Sequence, residues 1–302
     1  MTDQKTLSGR AWAELLLLSA LWGGSFLSIR IALDEIGFVT AVLHRVFWAA
    51  IVLWLVVLAM RLPLPRTPRI WAAFVVMGLL NNVIPFSLMA WGQLYIETGL
   101  TSILNAATAI FGVVVAATVF RDERLTWQRG LGVGLGFLGV AIAIGLDNLT
   151  RFDPRSLAQL AVLGGALSYA VAGSWARATL SGLPPQVAAA GMLTGSSLIM
   201  MPAALWLEGV PGLALQPGTL IAIAYYAFAA TAFAYLLYYR VLAMAGSGNL
   251  MLCTLLIPPV AIGLGALVRG EALLPQAYLG FGLLALGLLV LDGRLARRLF
   301  AN

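Results

Sequence analysis

The polar residues that this chain keeps inside its apolar stretches are amides, hydroxyls and aromatic rings, with hardly a charge among them. Asn81 and Asn82 are adjacent, with Pro85 one turn on, and Thr101, Asn105 and Thr108 fall at i, i+4 and i+7, one face of a helix. A primary amide both donates and accepts hydrogen bonds, so Asn81, Asn82 and Asn105 suit the carboxylate or the ammonium of a small zwitterion. Trp22, Tyr169, Trp175, Tyr235 and Tyr239 offer flat faces to an apolar or cationic group. Together with Ser25 these are the residues expected to line a substrate cavity. Pro85, Pro258, Pro259 and Arg45 are the expected helix breaks or gating positions, because proline removes a helix N–H and frees the carbonyl four residues back. Each feature has a plainer reading: the amides glue helices together, the prolines make a static bend, and Arg45 snorkels to the headgroups. Tyr238, Trp127, Trp206 and Trp71 fit an interfacial aromatic belt.

Catalysis inside a membrane needs a Ser/His pair, paired acids or a metal cluster. The chain has one histidine, His44, and one cysteine, Cys253, and no acid in the middle of an apolar run. No enzyme activity, metal or cofactor is expected. The letters Gly134-x-Gly136-x-x-Gly139 match a dinucleotide fingerprint, but that motif needs a strand before it and these glycines lie inside an apolar helix.

The elements that must carry these residues are ten apolar runs, near 11–31, 38–60, 70–90, 98–119, 128–146, 157–178, 186–206, 218–240, 247–268 and 275–293. A helix of about twenty residues rises about 30 Å, the thickness of a bilayer's hydrocarbon core. Over 302 residues the chain is 61% hydrophobic and 10% charged, where a soluble domain carries about 25% charged residues. No recurring polar stripe would give these helices a water-facing side. The 32 glycines suit close helix packing in lipid.

A net charge of +6 invites a nucleic-acid reading, but its distribution gives topology instead. With the N-terminus inside, 13 Lys and Arg fall on the inner side and 5 (Arg30, Arg45, Arg151, Arg155 and Arg269) toward the outer. The positive-inside rule then places both termini in the cytoplasm. The polar start and first apolar run read as a first membrane helix, because the run is long and no small-residue cleavage site ends it.

The chain also repeats itself. Residues 121–139 and 269–287 share ten identities in nineteen positions at an offset of 148, among them Arg121/Arg269, Glu123/Glu271, Gly132/Gly280 and Gly139/Gly287. Near an offset of 147, Trp22 meets Tyr169 and Arg30 meets Arg177. The expected domains are 1–147 and 148–302, five helices each. Five is odd, so the second copy should enter the membrane inverted. The expected fold is an all-α integral membrane protein of ten transmembrane helices in two inverted five-helix repeats. That plan belongs to secondary transporters, with the site near the midplane between copies.

The helix–turn segments Val119-Phe120-Arg121-Asp122-Glu123 and Leu267-Val268-Arg269-Gly270-Glu271, the Gly-rich helix after each, and the opening Ala20-Leu21-Trp22-Gly23-Gly24-Ser25-Phe26 resemble the drug/metabolite transporter superfamily, EamA family. Arg45 resembles a position often basic in that family. In overall character the chain is most similar there to the bacterial exporters of aromatic amino acids. The resemblance implies a solute exporter working by alternating access; family members carry amino acids, nucleotide-linked and phosphorylated sugars, or organic cations.

The few interior basic groups argue against phosphates, which need Lys or Arg clamps. Neutral or zwitterionic solutes, amino acids including aromatic ones, are the expected cargo. Other metabolites and organic cations or drugs are the alternative. The lack of a deep carboxylate predicts gradient-driven movement rather than proton exchange at a buried acid. A channel would show rings of repeated polar groups, which one duplication does not supply. The expected partners are a small-molecule substrate and the lipid bilayer, and no nucleic acid. The expected location is a bacterial inner membrane. Oligomeric state is left open by the sequence.

Overall fold

The computed structural model describes residues 8–120, 126–145, 153–212, 214–250 and 252–292. Arg121 and Glu123 of the first acidic turn, with Lys5, Arg124, Arg151 and the C-terminal arginines, lie outside the described residues.

Ten helices make up the described chain: α1 (Gly9–Ala32), α2 (Phe38–Ala59), α3 (Pro68–Gly92), α4 (Thr98–Val119), α5 (Trp127–Ile144), α6 (Pro154–Thr179), α7 (Pro185–Leu207), α8 (Pro217–Gly246), α9 (Leu252–Arg269) and α10 (Pro275–Asp292). Among the described residues, α1 to α9 are long and apolar enough to cross a membrane, and Pro275–Leu291 is a shorter apolar helix. Most ends are where capping chemistry puts them. Ser8, Thr126 and Asp153 accept the backbone N–H of Ala11, Arg129 and Ser156. Proline at the first turns of α3, α6, α7 and α8 loses an N–H that had no partner anyway.

The apolar residues divide between two faces. Leu55, Leu198, Ile221 and Leu279 point outward, more than half exposed, as lipid-facing side chains must. Trp127 and Trp206 are more than four-fifths exposed at helix ends, the interfacial position expected of them. Inward, one core gathers around α1, α4, α6 and α9, and a second around α2, α3, α7 and α8.

The pairing of helices carries the duplication. α1 packs along α9 and α4 along α6; α3 packs against α7 and α8 against α2; α2 meets α7, and α5 meets α10. Exchanging each helix with the one five places on leaves this set unchanged, as a two-fold relation between copies requires. The local backbone repeats too. α3 widens to i→i+5 bonding over Leu79–Val83, and α8 over Tyr225–Phe233, which contains residues 227–231 at the offset of 148.

Two expected breaks sit elsewhere. α9 stays helical through Pro258 and Pro259, and the backbone turns instead at Gly246, whose φ of 79° only glycine adopts at little cost. α4 is divided between Asn105 and Thr108 by a tight turn at Ala106–Ala107. Thr101 is fully buried and back-bonds to Glu97 O at 3.1 Å, and the turn separates Thr108 from the face that carries Thr101 and Asn105.

α5 and α10 touch backbone to backbone. A Cβ on Gly139 would meet Gly280 O at 2.6 Å, and one on Gly287 would meet Gly132 O at 2.7 Å. By contrast Gly134 and Gly282 have open space around them. Gly139→Ala or Gly287→Ala should therefore cost about 1–3 kcal/mol by overpacking, whereas Gly134→Ala and Gly282→Ala should cost nothing. Melting of the detergent-purified protein checks this, and equal effects from all four would contradict it.

Candidate substrate site

The polar residues collect around the widened segments of α3 and α8. In α3 the geometry follows from Pro85. In a widened turn its missing N–H would have served Leu80 O, and Ser168 of α6 donates to that carbonyl instead at 2.6 Å. The extra residue in the turn re-aims the following side chains. Asn81 and Asn82 thereby reach α7 and α8. Asn82 Nδ2 donates to Ser196 Oγ at 2.8 Å, Tyr235 OH donates to Asn82 Oδ1 at 3.3 Å, and Asn81 Nδ2 donates to Tyr235 OH at 3.1 Å. Asn82 and Ser196 are fully buried.

In α8 the widened turn is closed by a side chain of its own. Thr231 Oγ1 donates to Tyr226 O, five residues back, at 2.7 Å. The same hydroxyl accepts from Arg45 Nε of α2 at 3.0 Å. The guanidinium lies 3.8 Å over the ring of Phe86, which packs edge-on against Tyr169 of α6. Tyr169, Tyr226 and Tyr235 are its electrostatic neighbours.

Arg45, an expected gating position whose plainer reading is snorkelling to the headgroups, points inward. It sits seven residues into α2, about 10 Å from the end, a depth from which a long side chain reaches headgroups. Its head turns inward instead and is 8% exposed. Among the described residues it is the only charged side chain that is buried, and no carboxylate lies beside it. His44, its neighbour, faces the other way and accepts from Trp48 Nε1 at 3.1 Å.

The remaining expected site residues fall in three places. Trp22 packs against Tyr238 (ring centres 5.8 Å apart) and Tyr238 against Tyr239, which puts Tyr238 with this cluster rather than in an interfacial belt. Ser25 is buried and donates to Trp22 O. Asn105 sits at the break in α4, where its Oδ1 and Thr108 Oγ1 are both buried with no partner among the described residues. Trp175 donates to Ala73 O at 3.3 Å, an α6–α3 tie outside the arginine cluster. Phe86, Ser196, Tyr226 and Thr231 were not singled out by sequence. Tyr225 OH, ten residues before Tyr235, donates to Leu21 O of α1 at 3.2 Å. The widening of α8 changes the phase between them.

One end of the bundle is tied across the two repeats by hydrogen bonds and ion pairs. Glu208, at the end of α7, accepts Val39 N and Thr40 N at the start of α2. A Cβ on Gly37 would fall within 2.3 Å of that carboxylate, so a larger residue there would push the Glu208 side chain aside. Glu271 caps α4 through Thr98 N and Oγ1, and Glu35 accepts Gln216 N before α8. Asp34 pairs with Arg269, and Arg155 with Glu97. At the opposite end of α1 the cross-repeat ion pair is Glu14–Arg240.

Comparison with known proteins agrees with this architecture. The sequence profile of the EamA-like transporter family matches residues 10–145 and again 156–291. The chain is 28% identical to a probable terminal-alkyne amino-acid exporter of Streptantibioticus cattleyicolor, over 97% of this chain and 96% of that one. It is 19% identical to the uncharacterized transporter YoaV of Bacillus subtilis (94% and 97% covered). An uncharacterized transporter of Archaeoglobus fulgidus is 22% identical (93% and 98% covered). A solved crystal structure shares the fold with a TM-score of 0.68 at 17% identity, covering 96% of this chain and 99% of its own.

Thr231 links the widened turn to Arg45, so Thr231→Val should destabilise the protein by about 1–3 kcal/mol, the cost of stranding a buried polar partner. Thr231→Ser should restore most of it. A Thr231→Val protein that melts like the parent would remove Thr231 from the account.

Proposed function

The chain belongs to the EamA-like transporter family, and from that premise we propose that it exports small neutral or zwitterionic solutes, amino acids first among them, by alternating access. The observation that carries this reading is the polar cluster itself. Arg45, Asn81 and Asn82 come from the first repeat, and Tyr169, Ser196, Thr231 and Tyr235 from the second, so a rocking of one repeat against the other changes access to a site built from both.

Each group has a task in this reading. The linked amides and phenol offer donors and acceptors to both ends of a zwitterion. The rings of Trp22, Tyr238 and Tyr239 stack a side chain. The two-fold arrangement of helices supports the inverted five-helix repeats that this mechanism uses. With both termini cytoplasmic, in a bacterial inner membrane, the end tied by Glu35, Glu208 and Glu271 faces outward and is closed. The amino-acid exporter among the relatives supports the choice of cargo.

Among the described residues no Asp or Glu is buried, so the proposed movement does not exchange a proton at a buried acid. Proteoliposome counterflow with a panel of amino acids tests the function. At least one amino acid should show saturable flux that an imposed pH difference does not drive uphill. Absence of flux for the whole panel would reject the cargo, and uphill accumulation driven by pH alone would reject the coupling. Asn81→Ala, Tyr235→Phe and Trp22→Ala should each lower that flux about tenfold, equivalent to about 1.4 kcal/mol, with insertion unchanged. If all three transport normally, the site is misplaced.

A further inference from the structure

Arg45 has its Nε on Thr231, while its two Nη groups have no acceptor among the described residues. Tyr226, fully buried, is an electrostatic neighbour of that guanidinium, and its hydroxyl also lacks a partner. An unanswered cation and an unanswered O–H donor, side by side in an apolar bundle, call for a group that is negative and rich in lone pairs. We infer that the Nη edge of Arg45 seats a carboxylate of the transported solute, with the Tyr226 hydroxyl as a further donor to it.

The geometry selects the ligand's chemistry. Thr231 fixes Nε and the guanidinium carbon sits 3.8 Å over the Phe86 ring, so the fork is held in place before the ligand arrives. Its free edge presents two parallel N–H groups, which match the two oxygens of a carboxylate. One guanidinium answers one negative charge, which fits a monocarboxylate and not a doubly charged phosphate. It also repels an organic cation lacking a carboxylate. In a zwitterion the ammonium is left to Asn81 Oδ1, since Asn81 bonds within the cluster through its Nδ2. This inference rests on the transporter reading above and narrows its cargo to solutes that carry a carboxylate.

The test is equilibrium binding to the purified full chain in detergent, with matched probes: L-phenylalanine, 3-phenylpropanoate, L-phenylalaninamide and phenethylamine, and the pair L-alanine and L-alaninamide. Carboxylates should bind the parent at least about tenfold more tightly than the matched amide or amine, about 1.4 kcal/mol. Arg45→Gln should reduce that preference to under about twofold, while Arg45→Lys, which keeps the charge without the fork, should retain part of it. Monodisperse elution of the variants confirms folding.

Equal binding of amides and acids, no binding of any carboxylate probe to the parent, or a preference that survives Arg45→Gln would each overturn the seat. Binding of 3-phenylpropanoate with no flux of any amino acid keeps the seat and rejects amino-acid cargo. Amino-acid flux with no discrimination against amides does the reverse.

Discussion

A charge carried into a bilayer needs water or an opposite charge, and among the described residues no carboxylate lies beside Arg45. Burying an ion costs several kcal/mol. The ring of Phe86 returns about 2 kcal/mol as a desolvated cation–π contact, and the bond to Thr231 about 1.5–3 kcal/mol. Those contacts hold the head in place without neutralising it. The rest of the central architecture follows from this constraint. α2 brings the charge in, α3 supplies the ring, α6 supplies one of the three phenols around it, and α8 supplies the hydroxyl acceptor and the other two.

The widened turns in α3 and α8 are what make such a site compatible with membrane helices. Regular helix leaves no spare backbone acceptor in the hydrocarbon region. Widening by one residue frees Leu80 O and Tyr226 O, and side-chain hydroxyls of Ser168 and Thr231 take them up. π-bulges of this kind gather at functional sites. That both copies carry one at the same register ties the polar centre to the duplication itself. The two copies have since filled it differently, with paired amides in the first and a threonine in the second.

Much of this was legible in the sequence, and the parts that were not have identifiable causes. The ten helices and the repeat could be read because apolar runs and shared Gly, Arg and Glu positions survive at fixed spacing. Asn81, Asn82 and Tyr235 stand out in runs of aliphatic residues, and the structure brings them together. Tyr226 and Thr231 could not be phased, because periodicity assumes 3.6 residues per turn and α8 departs from it for nine residues. The direction of Arg45 was equally hidden, since a seven-residue depth permits either a headgroup or an interior partner. Prolines misled in α9, where the helix continues through them, and the α4 break at Ala106–Ala107 carries no proline or glycine to announce it. Glu271 could have paired locally with Arg269; its actual partner, the start of α4, lies 173 residues away.

The ties at one end give the proposed exchange a mechanical consequence. Carboxylates on helix N-termini and ion pairs such as Asp34–Arg269 join the two repeats there, and they must part if that end is to open. The most direct measurement is transport by the double variant Asp34→Cys/Arg269→Cys, with Cys253→Ser, before and after oxidation. The account predicts that the crosslinked protein, verified by its gel mobility, stops transporting and recovers on reduction. Undiminished flux through fully crosslinked protein would contradict it.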